Sequence, residues 1–394
     1  MVPGYDSGNR AHKITAAIFG GVMLKKMSIS FVIFIIILAL GAFAYTRTAR
    51  FGRSPGGARL ARIQKSPHYV NGKFECLEPV TQIVEGDGGS FTATLKFLFG
   101  DKGGLVPPAA IPTRKTDLKK LDSKQDVVVW LGHSSYYMQL GGYKILIDPV
   151  LSDYGSPVFL VNQAFAGSSV YTAADFPEQI DVLIMSHDHW DHLDYDAIKA
   201  LQPKIKTIVC PLGVGEYFEE WGFKPEQLHE EDWNTEIKLA PDLSIHVLPA
   251  QHFSGRLLKQ NQTEWAGFAF ITPGRQVFYS GDGGYGKHFA AIGQQFGGFD
   301  LAILEDGQYN KNWPRIHMMP EQVAQAALDV KAQAVLPAHN GKFALSRHNW
   351  DEPYKRLAAA SAGKSYQLLT PEIGALVHIG SAEHFSPWWE TVKN

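Results

Sequence analysis

The stretch that decides the reading is Ser186-His187-Asp188-His189-Trp190-Asp191-His192, which follows directly on the apolar run DVLIM (181–185). Four candidate ligands, His187, His189, Asp191 and His192, fall within six residues. Imidazole is the commonest protein ligand for zinc, and a strand end is a rigid base from which a tight loop can aim alternate side chains inward. His187 and His189, two apart, can converge on one ion, while Asp191 and His192 can turn toward a second. A solvated polar turn is the competing reading, and it gives no reason for this order of ligand-type residues.

Outward from the motif the pattern is one of short β-branched and aromatic strands: VVVWL (127–131), YYMQL (136–140), KILID (144–148), TIVC (207–210), LSIHVLP (243–249), GFAFIT (267–272), QVFYSGD (276–282), DLAILE (300–305) and QAVLPAH (333–339). Helical spacing of apolar residues predicts helices over 193–202, 214–222 and 320–332, the last opened by Pro320. The expectation is a layered α/β body. His252, Asp282 and His339 each follow one of the later strands, where a layered sheet protein gathers its loops at one edge. Alone, each reads as a hydrogen-bonded or turn residue; with the motif they are enough to close two metal sites with open positions.

This set, in this order, resembles the metallo-β-lactamase-fold hydrolase superfamily over about residues 126–380. The resemblance implies a four-layer αββα sandwich with two zinc ions at one edge of its two sheets. It assigns His187, His189 and His252 to one ion, Asp191, His192 and His339 to the other, and Asp282 to the bridge. More narrowly, WLGHSSYYMQLGGYKILIDPVLSDYGSP (130–157), GDGGYG (281–286) and the run from Gly307 through His317-Met318-Met319-Pro320-Glu321 look like N-acylphosphatidylethanolamine phospholipase D and its bacterial relatives. That likeness gives Asp148 the duty of orienting a metal histidine. It puts His317 at the rim of the site, to donate a proton or hydrogen-bond a phosphoryl oxygen, with a helix-entry cap as the alternative. His133 in LGHSS also matches, but its strand pair is expected to bury it away from the ligand set.

Two zinc ions so held, roughly 3.5–4 Å apart, can keep a bridging water near a pKa of about 7 and present hydroxide to a phosphoryl or acyl centre, with Asp191 or His317 handling the proton. Arg256, Arg315 and Lys342 lie near ligand positions, to grip a phosphate or to sit in solvent; Trp190, Tyr195, Phe253, Trp265 and Tyr309 are candidates for an acyl-chain groove or for core packing. The expected activity is phosphodiester hydrolysis of a phospholipid. A lactonase or other small-ester or phosphodiester hydrolase of the same fold is the alternative, as is a noncatalytic membrane-tethered binding module.

Composition agrees with a globular body. The 394 residues are 45% hydrophobic and 19% charged, and two cysteines exclude both a disulfide framework and a cysteine-rich zinc module. The net charge of -2 hides a split: residues 1–65 hold ten Lys and Arg against Asp6 alone, leaving 27 basic against 38 acidic residues for the rest, which argues against nucleic acid as a partner. Ile29–Tyr45 carries no charge and is expected to be a membrane anchor over residues 1–46, although Ala42-Phe43-Ala44 also fits a signal-peptide cleavage site, which would leave a secreted or periplasmic protein. Basic flanks on both sides leave the orientation open. Residues 47–125 are expected to be a basic linker and extension, whose FGRSPGGARLARIQK stretch either lies on anionic headgroups or is solvated, and residues 126–394 the hydrolase domain.

Overall fold

The computed structural model describes residues 7–80, 103–159, 161–256, 259–310 and 312–393. They form two compact units, 1–52 and 53–394. In the first, helix α1 (Ser7–Tyr45) contains one segment, Lys26–Tyr45, long and apolar enough to cross a membrane. Twenty helical residues rise about 30 Å, the thickness of a bilayer's hydrocarbon. After it the ring of Phe51 meets Tyr45 edge-on at 5.2 Å.

The second unit opens with helix α2 (Gly57–Ile63) and a hairpin of β1 (Tyr69–Val70) and β2 (Lys73–Phe74). The first large sheet follows: β3 (Val127–Gly132), β4 (Ser135–Leu140), β5 (Tyr143–Ile147), β6 (Ile180–Ile184), helix α3 (Tyr195–Leu201), β7 (Ile205–Pro211), helix α4 (Gly215–Glu220) and β8 (Leu228–Glu231). The second sheet is β9 (Thr235–Ala240), β10 (Leu243–Leu248), β11 (Gly267–Ile271), β12 (Gln276–Tyr279), β13 (Leu301–Glu305) and β14 (Ala334–Ala338), with helices α5 (His288–Phe296), α6 (Pro320–Asp329) and α7 (Glu352–Ser361), then β15 (Gln367–Leu368). Strand β16 (Leu376–His378) returns to the first sheet. The orders are β16-β3-β4-β5-β6-β7-β8 and β15-β14-β13-β12-β11-β10-β9.

Alternation along the strands makes the layers. Val277, Tyr279, Leu301 and Ile303 face the first sheet, sharing a core with Tyr136, Ile145, Ile147 and Ile184. Their neighbours Phe278, Ala302 and Leu304 face outward against Phe289, Val323 and Ala327 of the helices. Strands covered on both sides read as unbroken apolar runs, as VVVWL does. Beyond the expected elements the structure adds α2, β1, β2, β8, β9, α5, α7, β15 and β16.

In each sheet the antiparallel strands give way to parallel ones. Strands β3, β5 and β6 therefore run in one direction, as do β10, β12, β13 and β14, and their carboxyl ends open on one edge. Backbone hydrogen bonds stitch the sheets together there: His133 N–H donates to Asn340 O at 3.0 Å, His339 N–H to His133 O at 3.2 Å, and Ala266 N–H to Ser186 O at 3.0 Å.

Part of the basic stretch after residue 52 forms helix α2 and pairs with acids of the second unit. Arg59 on α2 is half-buried among Glu216, Glu219 and Glu230, at 2.7, 2.7 and 2.8 Å, and Arg53 and Arg62 close on the same acids. Acid-rich α4 and β8 draw these arginines in.

Candidate metal centre

Every expected ligand comes off a strand end at this edge. The motif follows β6, His252 follows β10, Asp282 follows β12 and His339 follows β14. Asp148 after β5, His133 after β3 and His339 have φ of 38°, 54° and 65°, the left-handed region that costs a non-glycine residue of order 1–3 kcal/mol and that clusters at functional sites. The turn this permits swings each side chain off its strand into the seam between the sheets.

The side chains form two lobes. In one, His187 Nε2 lies 2.9 Å from His189 Nδ1, and His252 Nε2 lies 3.2 Å from the same nitrogen. In the other, His339 Nε2 and His192 Nε2 lie 3.2 and 3.6 Å from Asp191 Oδ2. Asp282 sits between them, its Oδ2 at 3.0 Å from His339, 3.1 Å from His192, 3.8 Å from His252 and 3.9 Å from His187. All seven expected ligands are thus brought together, as a His/Asp cluster able to hold metal. One buried atom at its centre, Asp282 Oδ1, has no hydrogen-bond partner among the described residues, which is what a cation-binding cluster leaves behind when only protein atoms are considered.

Electrostatics follow from burial and crowding. Burial, then the neighbouring imidazoles, pushes His187 well below its ordinary value. Burial likewise pushes His252 well below, and lowers His189. These three rings are therefore neutral, with lone pairs to offer. Burial also opposes charge on the carboxylates, but His192 with His133 and His339 holds Asp191 well below the usual range, and His192 with His339 does the same for Asp282. Against the same burial, Asp282 and Asp191 push His192 well up and His339 up to about 9.

Asp148 lies behind His192, on the side away from Asp282. Fully buried, it accepts from His192 Nδ1 at 2.9 Å, Tyr279 OH at 2.6 Å and Ser186 N–H at 2.7 Å, so it fixes His192 in the plane that points Nε2 at Asp282. His317 lies at the rim, 9% exposed, stacked on His339 at 5.1 Å. A cavity of about 280 Å³ opens over the cluster, walled by His317, Phe253, Trp313, Ile316 and Leu345.

Several expectations are corrected. His133 is buried, yet against the ligand set: its Nε2 lies 2.8 Å from Asp191 Oδ2, because the left-handed turn after β3 aims it across the seam. Arg256 braces the motif loop, donating through Nε to Asp188 O at 2.7 Å, donating to Leu193 O and stacking on Trp190 at 3.9 Å. Lys342 is buried on Val150 O at 2.7 Å, and burial pushes its ammonium down to about 8. Arg315 reaches Pro79 O instead. Of the five aromatics expected there, Phe253 alone lines the cavity; Trp265 is core, Tyr309 bonds Glu352, and Tyr195 packs on Trp221.

Two further acids went unremarked in the sequence. Asp188 is no ligand; it accepts from Gly255 N–H at 2.7 Å, Tyr217 OH at 2.9 Å and Thr263 Oγ1 at 3.0 Å, tying the 253–263 loop to the motif. Glu305, fully buried at the end of β13, faces His317 and His339. Its only sequence signal is a carboxylate closing the apolar run DLAIL.

Residues 143–340 match the β-lactamase superfamily domain. The Mycobacterium bovis protein Mb0930 is 36% identical over 341 residues, covering 84% of this chain and 91% of its own length. The N-acyl-phosphatidylethanolamine-hydrolyzing phospholipase D 1 of Caenorhabditis elegans is 33% identical over 232 residues, 54% of this chain and 63% of that protein. In fold, the chain is similar to a possible metal-dependent hydrolase from Veillonella parvula, with a TM-score of 0.53 at 14% identity over 64% of this chain and 99% of that one. With its ligand-type side chains gathered where two sheets meet, the chain belongs to the metallo-β-lactamase-fold hydrolases of the β-lactamase superfamily.

Proposed function

We propose that the protein is a dinuclear zinc phosphodiesterase that hydrolyses a phospholipid in the manner of N-acylphosphatidylethanolamine phospholipase D. The observation that carries this reading is the pair of three-residue lobes meeting at Asp282. His187, His189 and His252 would hold one ion, Asp191, His192 and His339 the other, with Asp282 common to both. Such ions supply Lewis-acid polarisation of a phosphoryl oxygen and an ionised nucleophilic water at neutral pH.

The chain's own residues do the rest. Asp148 and His133 hold His192 and Asp191 in place. Phe253, Trp313, Ile316 and Leu345 exclude water from the cavity and offer apolar surface to a lipid. His317, at the rim, gives a proton to the leaving oxygen, and Asp191 steadies the proton of the attacking water. Three features support a lipid substrate: the likeness to the Caenorhabditis elegans enzyme, the Lys26–Tyr45 helix as a single anchor in a membrane, and the loop that packs on Asp191 through Gly155 while exposing Val158, Phe159 and Val161.

The test is direct. Purified full-length protein is assayed for zinc by mass spectrometry, then incubated with N-acylphosphatidylethanolamine, phosphatidylcholine, lactones and simple phosphodiesters, beside a His187→Ala/His189→Ala control. About two zincs per chain and release of phosphatidic acid from the phospholipid, lost in the control, are expected. Turnover of lactones alone would make it a lactonase; absence of zinc even after reconstitution would make it a binding module.

A further inference from the structure

Glu305 ends the apolar strand β13 with no exposure to solvent, and its two oxygens face two imidazole nitrogens and one backbone N–H. Oε1 lies 2.9 Å from His317 Nδ1 and 3.3 Å from His339 Nδ1; Oε2 accepts from Met318 N–H at 3.0 Å. The Glu305 N–H is itself anchored on Ser280 Oγ at 3.0 Å, two residues before Asp282. One carboxylate oxygen therefore touches both a histidine of the metal cluster and the histidine at the cavity rim.

We propose that Glu305 is a positioning residue that sets the tautomer and orientation of both rings at once. This rests on the metal-hydrolase reading above. A carboxylate has no proton to donate, so both imidazoles must carry theirs on Nδ1 to bond it. The Nε2 of each ring is then the atom free to face the cluster or the cavity. That of His339 faces Asp282 Oδ2 at 3.0 Å and Asp191 Oδ2 at 3.2 Å, where a ligand nitrogen must be unprotonated. The two rings lie nearly parallel at 21°, so the clamp holds them as one stack, and the group that meets the substrate moves only as the metal ligand moves. A solitary carboxylate behind one metal histidine, as Asp148 is to His192, would not couple the two.

Glutamine in this place cannot reproduce the contacts. If its amide oxygen takes Met318 N–H, its NH₂ faces both rings and requires Nδ1 to accept, moving the proton to Nε2. If it is turned the other way, NH₂ meets the Met318 N–H donor head-on. Either arrangement loses one side of the clamp.

The experiment uses the full-length protein in detergent with ¹⁵N-labelled histidine. Long-range ¹⁵N–¹H spectra of the wild type, assigned through His317→Gln and His339→Gln, are expected to show Nδ1–H on both rings. Glu305→Gln is expected to convert at least one ring to Nε2–H, weaken zinc binding in chelator competition by tenfold or more, and lower kcat at least tenfold with KM within twofold. An Nδ1 without its hydrogen on either ring in the wild type overturns the proposal, and so does a Glu305→Gln protein that keeps wild-type zinc affinity and turnover, or that loses zinc while both rings keep Nδ1–H. Should the variant fail to fold, the wild-type spectrum decides. A wild type that takes up no zinc sinks the metal-hydrolase reading alone, because the tautomers of the metal-free protein still test the clamp.

Discussion

At the scale of single residues, the spacing of histidines and aspartates was legible because ligand chemistry restricts residue type so strongly. His187, His189, Asp191 and His192 declared themselves as a motif, and His252, Asp282 and His339 by falling at strand ends. What stayed hidden were residues whose duty depends on direction. Nothing in LGHSS reveals that the chain turns left-handed at His133 and sends its ring toward Asp191. Glu305 and Asp188 look like ordinary acids until partners distant in sequence arrive. Asp148 gives the sharpest prediction at this scale. Asp148→Asn keeps the volume but replaces one acceptor oxygen with a donor, against His192 Nδ1 and Tyr279 OH on one side and Ser186 N–H on the other. Zinc affinity and kcat are expected to fall about 10–100-fold, measured by chelator competition and steady-state assay, with the circular dichroism spectrum unchanged.

At the scale of elements, the buried strands were readable because both faces are covered. Strand β9, TEIKLA, was not: at a sheet edge half of it faces water, and its alternating charges look like loop. Helix α2 was obscured differently. Its arginines suggested a solvated or headgroup-bound stretch, and the acids that capture Arg59 lie more than 150 positions later, as the 157- and 171-residue separations to Glu216 and Glu230 show. Removing that guanidinium strands two buried carboxylates, at 5% and 4% exposure. Arg59→Ala is therefore expected to destabilise the fold by on the order of 3 kcal/mol in urea unfolding, less to the extent that Arg53 and Arg62 compensate. Arg59→Lys should recover only part, since one ammonium cannot serve three glutamates in a fork.

For the molecule as a whole, layered α/β architecture followed from the strand and helix periodicities, but the meeting of the two sheets at one edge came only with the family resemblance, since no local pattern encodes which strand ends face one another. Stability against pH carries a signature of that packing. Glu264 is fully buried, and burial, then the nearby Asp232, pushes its carboxyl well above 4.5. The folded state thus binds this proton more tightly than the unfolded chain does. Its contribution is full below pH about 4.5 and is lost as pH rises toward the folded value. Glu264→Gln should remove that loss: its melting temperature is expected to match the wild type near pH 4 and to exceed it increasingly toward pH 8, in parallel scans at fixed zinc.

Strand β16 has a temporal consequence. Leu376–His378 lies against Val127–Val129, forming the border of the sheet that bears His133, Asp148 and the histidine motif. During synthesis that border stands unpaired while all the intervening polypeptide is made, a sticky ribbon open to like ribbons on neighbouring nascent chains. Maturation of this protein is therefore gated by arrival of its late segment, and a ribosome stalled before residue 376 would release an aggregation-prone intermediate rather than a slow enzyme.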